Sequence, residues 1–234
     1  KSVAATISKA SLTVTADDLT RVYGDNNPTF TQTIAGYVLV NGLAENATTA
    51  GVTGDASAST TATATSNVGS YTITNSVGTL SAANYSFTAA NGSLTVTARP
   101  VTVSTDASQG KIYGDADPAL AYTVAADAGV ASTTSRGLAN GETLKGSLSR
   151  AAGENAGTYA IGQNTLNANN PNYKITWTGA DFTIAKRAIT LTADKVSKVY
   201  GDSDPTLSVR ISSGTLGSAT VSDTLADVTG SLSR

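Results

Sequence analysis

The sequence predicts an all-β chain: a tandem array of antiparallel β-sandwich modules, each just under 90 residues long. Three observations predict it. Tyr-Gly-Asp recurs at positions 23, 113 and 200, each copy followed three residues later by proline (Pro28, Pro118 and Pro205). A period of this size marks a tandem array, and a module of this length can bury its own core. Apolar and β-branched residues alternate at period two after every junction, which is the strand signal. Turn residues, chiefly glycine, asparagine and aspartate, separate those runs.

Composition narrows the classes of function. The 234 residues carry a net charge of −2 and only 14% charged side chains, against about 25% in ordinary soluble domains. No basic stripe is present, which argues against nucleic acid as a partner. The regular alternation argues against disorder. Cysteine, histidine and methionine are absent. Disulfides, thiol catalysis, Cys/His zinc sites and a Ser-His-Asp triad are therefore excluded. No run approaches the ~18 apolar residues of a membrane span, and no signal peptide is visible. The chain opens at the end of one repeat and stops inside another, so it reads as a fragment of something longer.

The elements follow in order. Leu12, Val14 and Ala16 form one face of an opening strand, repeated at Val101–Thr105 and Ile189–Ala193. Asp17, Asp106 and Asp194 end these strands. The turn comes next. Gly24, Gly114 and Gly201 are expected at a backbone angle closed to residues with a Cβ. Asp25 and its counterparts are expected to cap nearby N–H groups, and the tyrosine rings to pack over the turn. Proline then starts the second strand, with Phe30, Leu120 and Leu207 two residues beyond it. Asn140–Leu144 resembles Val221–Leu225, and each leads to Gly-Ser-Leu-Ser-Arg, at 146–150 and 230–234.

Asn67-Val68-Gly69-Ser70-Tyr71-Thr72-Ile73 matches Asn155-Ala156-Gly157-Thr158-Tyr159-Ala160-Ile161. This fits the tyrosine corner of immunoglobulin-like sandwiches, with Ile73 and Ile161 at the buried position. More β-like sequence follows than one last strand needs, so the strand topology stays open. Each full module ends in what reads as a hairpin: Asn84–Thr88 then Ser93–Val96 around Asn91-Gly92, and Asn172–Trp177 then Asp181–Ile184 around Gly179. The resulting divisions are residues 1–7 as the last strand of a preceding module, 8–98 as module 1, 99–185 as module 2 and 186–234 as the first part of module 3. The junctions Ser8-Lys9-Ala10, Ala98-Arg99-Pro100 and Ala185-Lys186-Arg187 are short. Short junctions restrict the angle between modules.

The opening strand, Tyr-Gly-Asp-x-(Asp/Asn)-Pro, Gly-Ser-Leu-Ser, Gly-Thr-Tyr-Ala-Ile and a late Asn-Tyr together resemble the MBG/YDG-type repeats of large bacterial surface and secreted proteins. These include filamentous-haemagglutinin-like adhesins. The resemblance covers residues 7–234. Module 1 departs from it at Asp55–Ser59 and at Asn26-Asn27. It implies an exported β repeat at the bacterial cell surface and no defined catalytic activity.

Each candidate site has a plainer reading beside it. Asp115 with Asp117, and Asp202 with Asp204, set carboxylates two residues apart, as calcium sites do. An Asp-x-Asp pair alone is a weak signal, and capped turns are the preferred reading; no other cofactor is expected. Trp177, Tyr173 and Ile175 share a face that reads as core rather than as a sugar platform. Lys174 falls on the polar face, which disfavours an isopeptide bond. No pair of acids stands out for hydrolysis, so the chain is not expected to be an enzyme. The expected function is structural: a semi-rigid stalk or fibre segment of an adhesin or matrix protein. Its partners would be neighbouring modules and identical chains in a fibre, including a strand from residues 1–7 of another chain completing module 3. The rival is a module binding glycan or a host protein through the variable loops 44–66 and 125–141.

Overall fold

The structure is a computed structural model, and it describes residues 6–217, 221–228, 230 and 232–233. Strands dominate, as alternation predicts. In β1 (Ala10–Ala16), Leu12, Val14 and Ala16 are buried while Ser11 and Thr13 face out. The chain bends at Asp17-Asp18 into β2 (Leu19–Val22), which lies in a different sheet. β3 (Gln32–Ala35) returns antiparallel to β1. It begins later than proline alone suggests, because the residues from Pro28 to Thr31 lie outside any strand. β4 (Leu39–Val40) and β5 (Leu43–Ala44) make a small hairpin around Asn41-Gly42. β6 (Ser57–Ser59), β7 (Gly69–Ser76), β8 (Tyr85–Ala90) and β9 (Gly92–Thr97) complete the first repeat.

The strand orders are β3-β1-β8 in one sheet and β2-β9-β7-β6 in the other. Leu12, Ala82 and Tyr85 form one core cluster, against which Ile34 and Phe87 pack. Ala16, Ala62, Ile73 and Leu94 form a second, joined by Phe30 and Tyr71. The tyrosine corner is present: the Tyr71 hydroxyl donates to the Asn67 carbonyl at 2.8 Å, and Ile73 is fully buried.

The expected closing hairpin is not one. β8 and β9 lie in different sheets. β8 pairs with β1 in parallel, from Ala10↔Tyr85 to Thr15↔Ala90. β9 pairs with β2 in parallel, from Leu19↔Leu94 to Val22↔Thr97. The register does not slip across the bend. The first and last strand pairs of the repeat are thus two bent ribbons lying side by side. Asn91-Gly92 is the corner of one and Asp17-Asp18 the corner of the other. Gly92 is required there by space, because a Cβ would collide with the Ala16 carbonyl oxygen. The Asp18 carboxylate ties the two corners by accepting from Ser93 N–H at 2.8 Å.

The second repeat uses the same plan. Its strands are β10 (Arg99–Thr105), β11 (Gln109–Ile112), β12 (Tyr122–Val124), β13 (Ser149–Arg150), β14 (Gly157–Gly162), β15 (Tyr173–Thr178) and β16 (Asp181–Ala185). The sheets are ordered β12-β10-β15 and β11-β16-β14-β13, with β11 and β16 parallel. The Tyr159 hydroxyl repeats the corner, donating to Asn155 O at 2.7 Å. In the third repeat, β17 (Thr190–Ala193) pairs antiparallel with β18 (Val209–Ser213), as β1 does with β3. One helical turn, α1 (Leu225–Val228), completes the described elements.

Packing divides the chain into two compact units. The first takes in the described residues of Lys1–Thr102, Ala125–Thr143 and Asn169–Thr176. The second takes in those of Val103–Val124, Leu144–Ala168 and Trp177–Arg234. Of the strand expected at residues 4–7, residues 4 and 5 lie outside the described residues, and Thr6-Ile7 is not strand. Ser231 and Arg234 of the last Gly-Ser-Leu-Ser-Arg copy also lie outside them.

Candidate functional site

The repeated turn closes through an aspartate N–H on the residue three before it. Asp25 N donates to Val22 O at 3.1 Å, Asp115 N to Ile112 O at 3.0 Å and Asp202 N to Val199 O at 3.1 Å. The glycine at the third turn position has φ +85°, +86° and +93° in the three copies. With a negative φ at the tyrosine, this is a type II turn, which demands glycine there.

The turn does not fold its tyrosine back over itself. Within the first unit, Tyr23 leaves repeat 1 and enters repeat 2, where it is 4% exposed. Its hydroxyl donates to Glu142 Oε1 at 2.5 Å, while Tyr173 donates to Glu142 Oε2 at 2.7 Å. The two rings meet edge to face, 5.6 Å apart. Ala139 N–H donates to the Tyr173 hydroxyl at 3.0 Å. Gly24 lies so close that a Cβ would strike the Cβ of Ala139. One carboxylate therefore joins a tyrosine from each repeat.

Asp25 was expected to cap its own turn. It binds the next repeat instead, through arginine. Arg99 NH1 donates to Asp25 Oδ1 at 3.0 Å and to Tyr23 O at 3.2 Å. Arg99 NH2 pairs with Asp127 at 2.9 Å, and Arg99 Nε donates to the carbonyls of Arg136 and Gly137. Arg136 reaches the same Asp25 oxygen at 2.9 Å. A third link is Asn172, which accepts from Val68 N–H at 2.9 Å and donates to Asn67 Oδ1 at 2.8 Å. The arginine was the main feature missed from the sequence. Its signal was available: Arg99 and Arg187 both stand two residues before the first apolar position of an opening strand.

Within the second unit the same parts recur. The Tyr113 hydroxyl bonds to Asp223, the residue matched to Glu142 by sequence. Arg187 Nε donates to Tyr113 O at 2.8 Å, and its guanidinium pairs with Asp115. Asn155, Ile189, Leu216 and Val221 line a cavity beside this joint.

The second acidic position of the motif has a separate task inside each repeat. Asn27 accepts from Arg21 Nε at 2.8 Å, Asp117 pairs with Lys111 at 2.7 Å and Asp204 with Lys198 at 2.5 Å. Asp117 also takes Arg150 at 2.7 Å, and Glu154 takes Lys111 at 2.5 Å and Arg150 at 2.6 Å. The Arg150 guanidinium beside it, with Lys111, holds Asp117 below the usual carboxylate range. Asp115, Asp117, Asp202 and Asp204 are thus spread over the joint, the Lys/Arg pairs and the turn. Among the described residues no three acidic side chains gather as a metal site would need. Of the variable loops, Arg136 and Ala139 of 125–141 are buried in the joint. In 44–66, Ala62 is in the core, and the Ala62 and Thr63 carbonyls receive Asn27 and Arg21.

The joint titrates at high pH. The Glu142 hydrogen bond raises the Tyr23 hydroxyl above its ordinary value, and burial, with Glu142, raises Tyr173 further. In the unfolded chain both ionise near the usual pH of about 10. Their contribution to stability is full below that pH and disappears as pH rises through the folded values. The urea midpoint is expected to fall steadily above about pH 10. Absorbance at 295 nm should show Tyr23 and Tyr173 among the late-ionising members of the nine tyrosines, and Glu142→Ala should bring Tyr23 forward. Uniform titration of all tyrosines in the folded chain would contradict this.

Paired sheets repeated in tandem, with the turns of the first two repeats each keyed into the repeat that follows, define a tandem β-sandwich repeat protein. The chain belongs to the MBG domain family of YGX type, whose model matches residues 12–95, 101–183 and 189–234. MBG repeats are modules of surface proteins and are not an enzyme family. Comparison with curated proteins and with solved structures finds no match. No helix among the described residues is long and apolar enough to cross a membrane.

Proposed function

We propose that this chain is a tension-bearing segment of an extracellular bacterial adhesin or matrix protein, serving as a stalk or fibre. The observation that supports this reading is the parallel pairing of first and last strands. The chain enters repeat 1 at the start of β1 and leaves at the end of β9. Pulling on those two points slides the ribbon β1–β2 against the ribbon β8–β9. Six residue pairs in one sheet and four in the other then resist together. A ladder loaded in shear must break its hydrogen bonds at once, whereas a peeled ladder loses them one at a time. Ala98 alone separates β9 from β10, so tension passes directly into the next repeat. The joint of Tyr23, Glu142 and Arg99 limits slack between repeats.

Single-molecule pulling tests this reading, since forced unfolding reads the unfolding barrier. With handles at the chain ends, the two complete repeats should unfold in separate steps at high force. With handles at residues 9 and 84, beside the same ends of β1 and β8, the pair should peel at markedly lower force. Equal forces in the two geometries would overturn the reading.

A further inference from the structure

The joint inside the first unit brings together the parts of an oxidative cross-link. Tyr23 and Tyr173 come from different repeats, both are buried, and their rings stand edge to face with centroids 5.6 Å apart. Their hydroxyls donate to the two oxygens of one carboxylate, Glu142, at 2.5 and 2.7 Å. Two phenol oxygens held on one carboxylate bring their ortho ring carbons close together, because each of those carbons is only two bonds from its oxygen. Ala139 N–H, donating to the Tyr173 hydroxyl at 3.0 Å, fixes that oxygen further. Glu142 is partly exposed, between Gly141 and Thr143, which face solvent. The rings are thus shielded while the carboxylate offers their protons a way out. Other tyrosines supply the contrast. Tyr37 and Tyr85 meet at 6.0 Å, but only Tyr85 reaches a carboxylate, Glu45; the Tyr37 hydroxyl is buried with no partner among the described residues. Tyr71 and Tyr159 donate to backbone carbonyls, which cannot carry a proton away.

We propose that Tyr23, Glu142 and Tyr173 form a modification site, at which a one-electron oxidant joins repeat 1 to repeat 2 through a dityrosine bond. A phenol is oxidised most readily when its proton leaves to a base together with the electron, and Glu142 is that base for both rings. Each tyrosine passes one electron to the oxidant, of the class of a carbonate radical or a photo-oxidised metal complex, and one proton through Glu142 to solvent. The two phenoxyl radicals combine at carbons ortho to their oxygens, and one carbon–carbon bond forms. The hydrogens on those carbons then return as protons to the two oxygens. The net change is the loss of two electrons and two protons, and both hydroxyls are regenerated to bond Glu142 again. Holding the rings together makes the coupling intramolecular, so it outruns encounters between chains. The inference goes beyond the tension-bearing role, since it requires the joint whatever load the chain carries.

Photo-oxidation of the 234-residue chain with ruthenium tris-bipyridine and persulfate tests it, in a Tyr200→Phe background that removes the fully exposed tyrosine. The monomer should lose the mass of two hydrogens, gain the blue fluorescence of dityrosine and give peptide fragments that join Tyr23 to Tyr173. The initial rate should not change on dilution. Tyr23→Phe and Tyr173→Phe keep the rings and should each abolish the bond. Glu142→Gln keeps an acceptor that cannot take a proton, and should slow the bond by about a hundredfold, the low end of what a positioned proton acceptor contributes. A slower rate in deuterium oxide reports the same proton transfer in the chain with Glu142 intact. Coupling of Tyr37 to Tyr85 as fast as that of Tyr23 to Tyr173 would overturn the proposal. So would hydroxylated tyrosine in place of the bond, or a rate indifferent both to Glu142→Gln and to deuterium oxide. When pulled by its ends, the cross-linked chain should release a length shorter by roughly 500 Å, because the residues between Tyr23 and Tyr173 are spared extension at about 3.4 Å each. A chain that forms the bond yet peels and shears at equal force keeps this inference and loses the tension-bearing role; one that resists shear but forms no bond does the reverse.

Discussion

Arg99→Ala is expected to lower the stability of the first unit by about 3 kcal/mol, at the low end of what removing one partner of a buried ion pair costs. Arg99 is 5% exposed, and its guanidinium serves two carboxylates and three carbonyls. Its removal leaves Tyr23 O, Arg136 O and Gly137 O short of a donor. Asp25 keeps Arg136, and the Asp127 side chain is 47% exposed, so water compensates part of the loss. Lysine should recover less than half, because one ammonium cannot reproduce the planar fork. Urea denaturation measures the loss, and hydrogen exchange at Arg99 N–H, bonded to Asn172 O at 2.8 Å, reports whether the joint has opened. A loss below about 1 kcal/mol would place Arg99 among surface pairs of little weight and remove the arginine from the account of the joint.

The first copy of the turn shows what the sequence could and could not tell. Alternation placed β1, β10 and β17 within two residues at each end, because period two is a local property. The tyrosine corner was legible for the same reason: Tyr71 reaches only four residues back. Asn91-Gly92 misled because a hairpin and a sheet-to-sheet corner use the same turn residues. What decides between them is the pairing of β8 and β9 with β1 and β2, and that contact leaves no mark near Asn91. Tyr23 misled similarly. Its partners Glu142 and Tyr173 belong to another repeat, and nothing beside Tyr23 names them. Only the match between Asn140–Leu144 and Val221–Leu225 hinted that Glu142 and Asp223 share a task. Lys111 and Asp117 lie on either side of the turn, yet reading the Asp-x-Asp carboxylates as caps on backbone N–H groups left no place for a lysine partner.

Gly92→Ala is expected to damage repeat 1 through a single methyl group placed between its two bent ribbons. The added Cβ falls against the Ala16 carbonyl oxygen and within 2.9 Å of the Ala16 carbonyl carbon. Both obstacles are backbone held in the ladder, so no side chain can rotate away. Overpacking of this kind costs up to about 3 kcal/mol when the backbone must move, the top of the usual range. The movement has a direction: the corner of β8–β9 is pushed from the corner of β1–β2. The hydrogen bond from Ser93 N to Asp18, at 2.8 Å, lies in its path. Thermal unfolding of the first unit should therefore shift down by about 10 °C, at roughly 4 °C per kcal/mol for a domain of this size. Thr95→Ala, on the outer face of β9, should shift it little. The mechanical effect should exceed the thermal one, because the two ribbons form the interface that resists shear. In the pulling experiment Gly92→Ala should lower the end-to-end unfolding force of repeat 1 towards its peeling force and leave repeat 2 unchanged. A variant that melts early yet keeps its full shear resistance would show that the bent ribbons are not where tension is borne.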